Sequence, residues 1–276
     1  MQILRNIAEV KDFLVLNQGK EIGFVPTMGA LHAGHESLIK KSVQDNEVSI
    51  VSVFVNPTQF LAGEDLENYP RDEARDIEVA KAAGADAIFL PDVSQMYPSD
   101  TSDISIKAPS ALASILEGAT RPGHFDGVCT VLAKFFNIIR PMRAYFGKKD
   151  TQQLIIVQNL VKSLFFDIEI VPCDIIRAGD GLALSSRNSY LGESELIEAC
   201  KLYRALIKAK ALVSAGTFSS DVIKAEMAKV LDPLKIDYIE ICDRELNSIN
   251  QIETDKSIIL IAAYVGKTRL IDNLWL

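Results

Sequence analysis

His32 and His35 stand three residues apart in PTMGALHAGHESL (26–38), and they are two of only three histidines in the chain. The stretch puts them where a strand gives way to the first turn of a helix. At such a terminus, free backbone N–H groups and the helix dipole favour an anion. Gly34 lets phosphate oxygens approach the main chain. Imidazole N–H groups at 32 and 35 can donate to a triphosphate without the desolvation cost of two fixed cations. Donors of this kind suit charge that builds on an α-phosphate during in-line attack. Two other readings compete. A pair at i, i+3 can supply two zinc ligands, but the remaining histidine, His124, is distant in sequence and no glutamate sits as in HExxH. The pair can also be structural, its polar atoms satisfied by its own turn.

The elements that must carry this turn follow from hydrophobic periodicity. GFVPT (23–27) is a short apolar run and predicts a buried strand. AGHESLIKKSVQDN (33–46) predicts a helix with Leu38, Ile39 and Val43 on one face. VSIVSVFVN (48–56) is nearly continuous and β-branched, as in a strand covered on both faces. RDEARDIEVAKAAG (71–84) predicts a helix leading to the strand DAIFLP (86–91). FDGVCTVLAKFFNIIRP (125–141) reads as an amphipathic helix stopped by Pro141. The strand AYFG (144–147), a helix over 150–164 and the strand DIEIVPC (167–173) continue the alternation. This order predicts an α/β fold, a doubly wound parallel sheet with right-handed crossovers. Ligands of such sheets sit beyond the carboxyl ends of the strands. TMGALHAGH, NPTQF and GKKD (147–150) would meet there. After the loop RAGDGLALSSRN (177–188) come helices over about 193–214 and 218–231, then strand-like DYIEICD, SIILIAAYVG and TRLIDN. The expected division is therefore a domain over 1–174 and a smaller α+β domain over 175–276.

Composition limits the function. The 276 residues are 48% hydrophobic and 24% charged, with a formal net charge of −8. That balance argues against a nucleic-acid partner, which would leave a basic stripe; anionic small molecules stay open, because a local cluster can oppose the global sign. Cys129, Cys173, Cys200 and Cys242 are scattered without a CxxC and read as reduced, packed thiols. Glu9, Lys11 and Asp12 interrupt the start of the chain, so it lacks the apolar core of a signal peptide. The apolar run 258–265 is too short to span a bilayer. The expected home is the cytoplasm, with no membrane partner. GxxxxGK[ST] and GxGxxG are both missing, which argues against a P-loop ATPase or a standard dinucleotide fold.

The HxGH pattern is similar to the signature of the nucleotidylyltransferase superfamily, which includes class I aminoacyl-tRNA synthetases. Five further blocks sharpen the match: VFVNPTQF (53–60), EDLENYPR (64–71), RPGHFDGV (121–128), FGKKDTQQL (146–154) and DGLALSSRN (180–188). With the terminal TRLIDN, in this order, the chain resembles the pantothenate synthetases, the pantoate–β-alanine ligases, over nearly its whole length. The resemblance implies a Rossmann-like domain that binds ATP and pantoate, with the C-terminal domain closing over it, usually in a homodimer. It implies a two-step reaction. Pantoate carboxylate attacks the ATP α-phosphate, giving pantoyl adenylate and pyrophosphate; β-alanine then attacks the acyl carbon, giving pantothenate and AMP.

The same resemblance distributes roles. Catalysis falls to His32, His35, Lys149, Ser185, Ser186 and Arg187. The nucleotide lies along the turn from Pro26 through Met28, Gly29, Ala30, Leu31, His32, Ala33 and Gly34 to His35. It also touches Gly147, Lys148, Lys149 and Asp150, then Ile176, Leu184 and the Ser185–Arg187 loop. Pantoate meets Gln59 and Gln153, and β-alanine meets Gln59. The chemistry of these residue types agrees. A carboxylate nucleophile is best held by neutral donors, since a paired arginine would blunt it, and an amide donates and accepts. Gln153 has a twin in Gln152, and helix phase and motif favour Gln153. Lys149 can neutralise β/γ-phosphate charge as a mobile point cation. Asp150 can cap the helix that follows it or serve a magnesium that arrives with ATP. Ser185, Ser186 and Arg187 offer donors for phosphate oxygens, with Gly179 and Gly181 as possible hinges; a polar interdomain linker is the alternative. Asn56, Arg121 and His124 are expected at the substrate, the last two either holding its carboxylate or ordering the site. EDLENYPR reads as a wall or lid. Two positions depart from the family pattern: Lys148 replaces an acidic residue, and Met142 replaces the aspartate of a PDRA-like motif.

Two other functions stay open on these residues. One is a nucleotidylyltransferase that leaves AMP on a phosphorylated acceptor, which should be met by more cations and fewer glutamines. The other is a non-catalytic nucleotide-binding regulator, which would bind ATP without releasing pyrophosphate.

Overall fold

The computed structural model describes residues 1–61, 63–64, 66–99 and 104–276. They divide into two compact units, Met1–Lys148 with Gln152–Asp174, and Lys149–Thr151 with Ile175–Leu276.

The first unit is built on a six-stranded parallel sheet. Its strands are β1 (Gln2–Leu4), β2 (Ile22–Thr27), β3 (Val48–Val53), β4 (Ala87–Phe89), β5 (Arg143–Gly147) and β6 (Glu169–Cys173), in the order β1-β4-β3-β2-β5-β6. The chain steps from β2 outward through β3 to β4, then returns to place β5 on the other side of β2. The order therefore reverses between β2 and β5, and the crevice beyond their carboxyl ends is where ligands of open α/β sheets bind. The helices are α1 (Ile7–Leu16), α2 (Ala33–Asp45), α3 (Glu73–Ala82), the short α4 (Val93–Met96), α5 (Ser110–Ala113) and α6 (Leu116–Thr120), then α7 (His124–Ile139) and α8 (Thr151–Ser163).

Both faces of the sheet are covered, which is why the strands read as continuous apolar runs. On one face Phe24, Phe54 and Phe89 pack against Phe135 of α7. On the other, Val25, Val51 and Ile88 join Leu38 and Ile39 of α2 and Ala80 of α3. The helix over 124–139 ends on Arg140 in the left-handed region, directly before Pro141.

Several expectations shift. The strand expected over 48–56 stops at Val53, and Pro57–Gln59 turn as a 3-10 helix. β1 and α1 were not anticipated, although Asn6 and Glu9 form a local start signal: Asn6 Oδ1 accepts the Glu9 N–H at 2.9 Å. The short helices between Asp92 and Arg121 carry too little periodicity to be read from sequence.

In the second unit α9 (Glu193–Ser214) and α10 (Ser220–Leu231) pack on an antiparallel sheet of β7 (Lys235–Cys242), β8 (Ile258–Val265) and β9 (Thr268–Trp275), with β8 central. All four cysteines are free thiols. Burial pushes Cys129 and Cys242 up to about 12 and Cys173 to about 11, so none is an activated nucleophile. Among the described residues, no helix is long and apolar enough to cross a membrane.

Candidate active site

β2 delivers the HAGH turn through a reversal that a distant carboxylate organises. Gly29 and Ala30 lie in the left-handed region, at φ 86° and 52°. Asp76 of α3, only 1% exposed, accepts the Ala30 N–H at 3.1 Å and the Leu31 N–H at 2.7 Å. A Cβ on Gly29 would sit 2.8 Å from Asp76 Oδ2 and 2.9 Å from Val53 Cγ1, so glycine is required there for space as well as for φ. Burial raises the Asp76 carboxyl above its ordinary value, and the two N–H bonds offset only part of that. Asp76 was not anticipated. Its signal was an acidic residue on the same helix stripe as Ala80 and Ala83, where an apolar one belongs.

His32 is the N-cap of α2, and its Nδ1 accepts the Gly34 N–H at 3.1 Å. His35 Nδ1 accepts the His32 N–H at 3.4 Å, and the two rings lie 4.1 Å apart. With both Nδ1 atoms acting as acceptors, each neutral ring carries its proton on Nε2. The local contacts thus choose the tautomer that donates from Nε2. The Gly34 N–H is taken by His32, and a Cβ on Gly34 would sit 2.7 Å from His32 Cε1. Among the described residues no group of three His, Cys, Asp or Glu could hold a metal ion.

The turn after β3 holds Gln59, buried, beside Asn56 at 1% exposure. Asn56 Nδ2 donates to Gln59 Oε1 at 2.9 Å and to Gly127 O at 3.2 Å. Its Oδ1 accepts from the Tyr97 hydroxyl at 2.8 Å. Both amide donors of Asn56 are spent inside the chain, so its contribution passes through Gln59. Because the Gln59 oxygen is occupied, its NH₂ group is the one oriented to donate. Gly127 explains part of the RPGHFDGV block: a Cβ there would strike the Thr58–Gln59 backbone.

Arg121 and His124 also act on this turn. Arg121 forks onto Glu64, with Nε and Nη2 each at 2.7 Å from a carboxylate oxygen, and Nη2 reaches Gln59 O at 3.1 Å. His124 Nδ1 donates to Gln59 O at 2.8 Å, and its Nε2 accepts from Arg121 Nη1 at 3.2 Å. Expected either to hold the substrate carboxylate or to order the site, the two side chains are engaged within the chain, the arginine fork with Glu64 and both with Gln59 O. Glu64 ties EDLENYPR into the same cluster, and Arg71 donates to Leu66 O at 2.8 Å; Asp65 lies outside the described residues.

Burial works to raise the Glu64 carboxyl, but bonds from Arg121 and the Leu61 N–H outweigh it, and the value falls below the ordinary 4.5. The stabilisation is therefore full above pH 4.5 and is lost as pH falls through the lowered folded value. Glu64→Gln should cost about 1 kcal/mol at neutral pH and flatten the acid side of the stability curve. Denaturation midpoints against pH check this, and coincident wild-type and mutant curves would refute it.

Of the glutamine twins, Gln152 is committed to structure. Its Nε2 donates to Leu112 O at 2.5 Å and Ile115 O at 2.9 Å, and its Oε1 accepts the Glu117 N–H at 2.9 Å. Gln153 is half-buried. Lys148 pairs with Asp174 at 2.6 Å. That pair gives the departure from the family pattern a local partner of opposite charge. Met142 exposes its side chain and works through its backbone, donating to Ile22 O at 2.8 Å and accepting from Glu169 N at 2.9 Å.

In the second unit Lys149 lies beside exposed Asp150, Nζ to carboxylate 3.5 Å. Arg177 and Ala183 pair across a tight turn, after which the Leu184 N–H donates to Ile176 O at 3.0 Å. Gly181 sits in this turn at φ 93°, where a Cβ would strike the Tyr203 ring. Ser185 Oγ accepts the Arg187 N–H at 3.3 Å and starts the 3-10 turn Ser186–Tyr190, so the three loop residues are held, half-buried, in one short turn.

Residues 2–275 match the model of the family described as pantoate-beta-alanine ligase. The pantothenate synthetase of Campylobacter fetus subsp. fetus is 58% identical over 276 residues, covering all of both chains. The crystal structure of pantothenate synthetase from Thermus thermophilus superposes with a TM-score of 0.95 at 39% identity, over 100% of this chain and 99% of that one. That of the Francisella tularensis pantoate-beta-alanine ligase, complexed with beta-gamma ATP and beta-alanine, gives 0.83 at 37% identity, over 100% and 97%. A match this long, in sequence and in fold, makes the chain a member of the pantoate–β-alanine ligase family.

Proposed function

We propose that this protein joins pantoate to β-alanine at the expense of ATP, through a pantoyl adenylate. The observation that carries the reading is the HAGH turn, whose two Nδ1 atoms are committed to backbone N–H groups so that both rings donate from Nε2. Neutral donors of fixed orientation at a helix start serve an α-phosphate whose charge grows as the pantoate oxygen arrives and the pyrophosphate oxygen departs. Gln59 and Gln153 hold the pantoate carboxylate by amide N–H groups, which leave its nucleophilicity intact. Lys149 and the Ser185–Arg187 loop neutralise the leaving pyrophosphate. The β-alanine amine then attacks the acyl carbon, forming the C–N bond as the C–O bond to AMP breaks. In this division 1–174 binds ATP and pantoate.

Magnesium enters with the triphosphate in this scheme. Asp150 is a single exposed carboxylate beside Lys149, and one carboxylate plus phosphate oxygens is a donor set that this hard cation accepts. When bound, it offsets charge on the departing pyrophosphate. A cytoplasmic home suits four free thiols. A homodimer is proposed on the family resemblance.

The test is isotope exchange. With ATP, magnesium and pantoate but no amine, labelled pyrophosphate should pass into ATP, and omitting pantoate should abolish the exchange. β-Alanine added afterwards should release AMP and pantothenate one for one. Formation of ADP and phosphate, or exchange that ignores pantoate, would defeat the adenylate route.

A further inference from the structure

The TRLIDN segment of β9 contains two buried polar residues that the reaction scheme leaves without a role. Asp272 and Asn273 are 3% and 1% exposed in a strand otherwise supplying Leu270, Ile271 and Leu274. A carboxylate and an amide at such depth are costly unless directional partners meet them. Apolar residues would serve packing better, so the partners matter.

Asp272 takes both arms of Arg177, at 2.6 and 2.9 Å. Arg177 also donates to Gly181 O at 3.1 Å and lies over the Tyr203 ring at 4.6 Å, which fixes the turn leading into the serine loop. Asn188, at the end of that loop, donates back to Ala183 O at 3.0 Å. One residue along, Asn273 Nδ2 donates to the Lys149 main-chain oxygen at 2.8 Å. Adjacent residues of one strand therefore hold the root of the loop and the backbone of the lysine. Thr151, two residues beyond that lysine, is buried.

We propose that Asn273 is a positioning residue for Lys149, setting the lysine in register with the Ser185–Arg187 loop so that both address one polyphosphate. The inference rests on the phosphate role given above to Lys149. Its chemistry is a constraint on the main chain. A lysine on a loose loop pays rotamer and backbone entropy each time it meets a phosphate, whereas one with its carbonyl pinned pays less.

Pantoate-dependent pyrophosphate exchange tests this in a double-mutant cycle. Asn273→Ala should slow exchange about tenfold with the pantoate KM unchanged. In a Lys149→Ala background the same change should cost less than about twofold, because the group it positions is gone. Asn273→Asp, of equal size, turns an acceptor toward the lysine carbonyl and should be at least as slow; it decides the matter if the alanine variant misfolds. A thermal midpoint near wild type separates positioning from loss of fold. If Lys149→Ala exchanges at the wild-type rate, the lysine's role falls and the inference with it. If Lys149→Ala is slow but the Asn273 change is silent, or multiplies with it, the inference alone is overturned.

Discussion

His35→Ala is expected to lower turnover by on the order of 10²–10³ while changing ATP affinity only a few-fold. The asymmetry follows from where the donor acts. His35 Nδ1 accepts the His32 N–H, so the ring is fixed and its proton stands on Nε2. A donor aimed at charge that develops only as the α-phosphate is attacked contributes to the transition state more than to ground-state binding. The alanine variant also leaves the His32 N–H without its acceptor, a capping loss of about 1 kcal/mol. His35→Asn separates the two effects, since its side-chain oxygen can restore the cap without supplying the Nε2 donor. It should be as slow as the alanine variant and more stable. If either variant lost ATP affinity and kept its turnover, the histidine would be a binding group only.

Gln59→Glu is expected to reduce kcat/KM for pantoate by on the order of 10³, with ATP binding nearly intact. The substitution preserves shape and keeps an oxygen for the Asn56 Nδ2 contact. It removes the NH₂ donor and puts a carboxylate against the carboxylate of the substrate. Two like charges about 4 Å apart repel by roughly 4 kcal/mol at the effective dielectric of a partly buried site, and about 1.4 kcal/mol is tenfold. Gln59→Ala should cost less, because it deletes the donor without adding a charge. Steady-state kinetics with pantoate as the varied substrate decide the order. Equal losses in the two variants would mean that position 59 shapes the pocket and does not face the carboxylate.

Much of the architecture was legible because it is local. The alternation from GFVPT to DIEIVPC is a set of short-range periodicities, and each long run became an element within a few residues of its expected ends. The failures came from tertiary partners. VSIVSVFVN reads as strand to its end, whereas β3 stops at Val53 and the Asn56 turn that follows depends on Gly127 O and Tyr97 rather than on neighbours along the strand.

The candidate site residues stood out for a different reason. Histidines in a glycine-bearing turn, paired glutamines and a lysine beside an aspartate are rare enough in this chain to stand out by type and spacing. What they do with their atoms was not visible. The choice of imidazole tautomer, the saturation of Asn56 and the pairing of Arg121 with Glu64 each depend on where a hydrogen bond lands. Several such bonds join residues remote in sequence: Asp76 reaches Leu31 over 45 positions, Arg121 reaches Glu64 over 57, and Asn273 reaches Lys149 over 124. By itself the sequence determined the alternation, the candidate site residues and the family resemblance, since those reside in neighbouring side chains and in motif order. Tertiary structure alone decided which polar groups are committed to partners within the chain, because that is settled by groups that only folding brings within about 3 Å of one another.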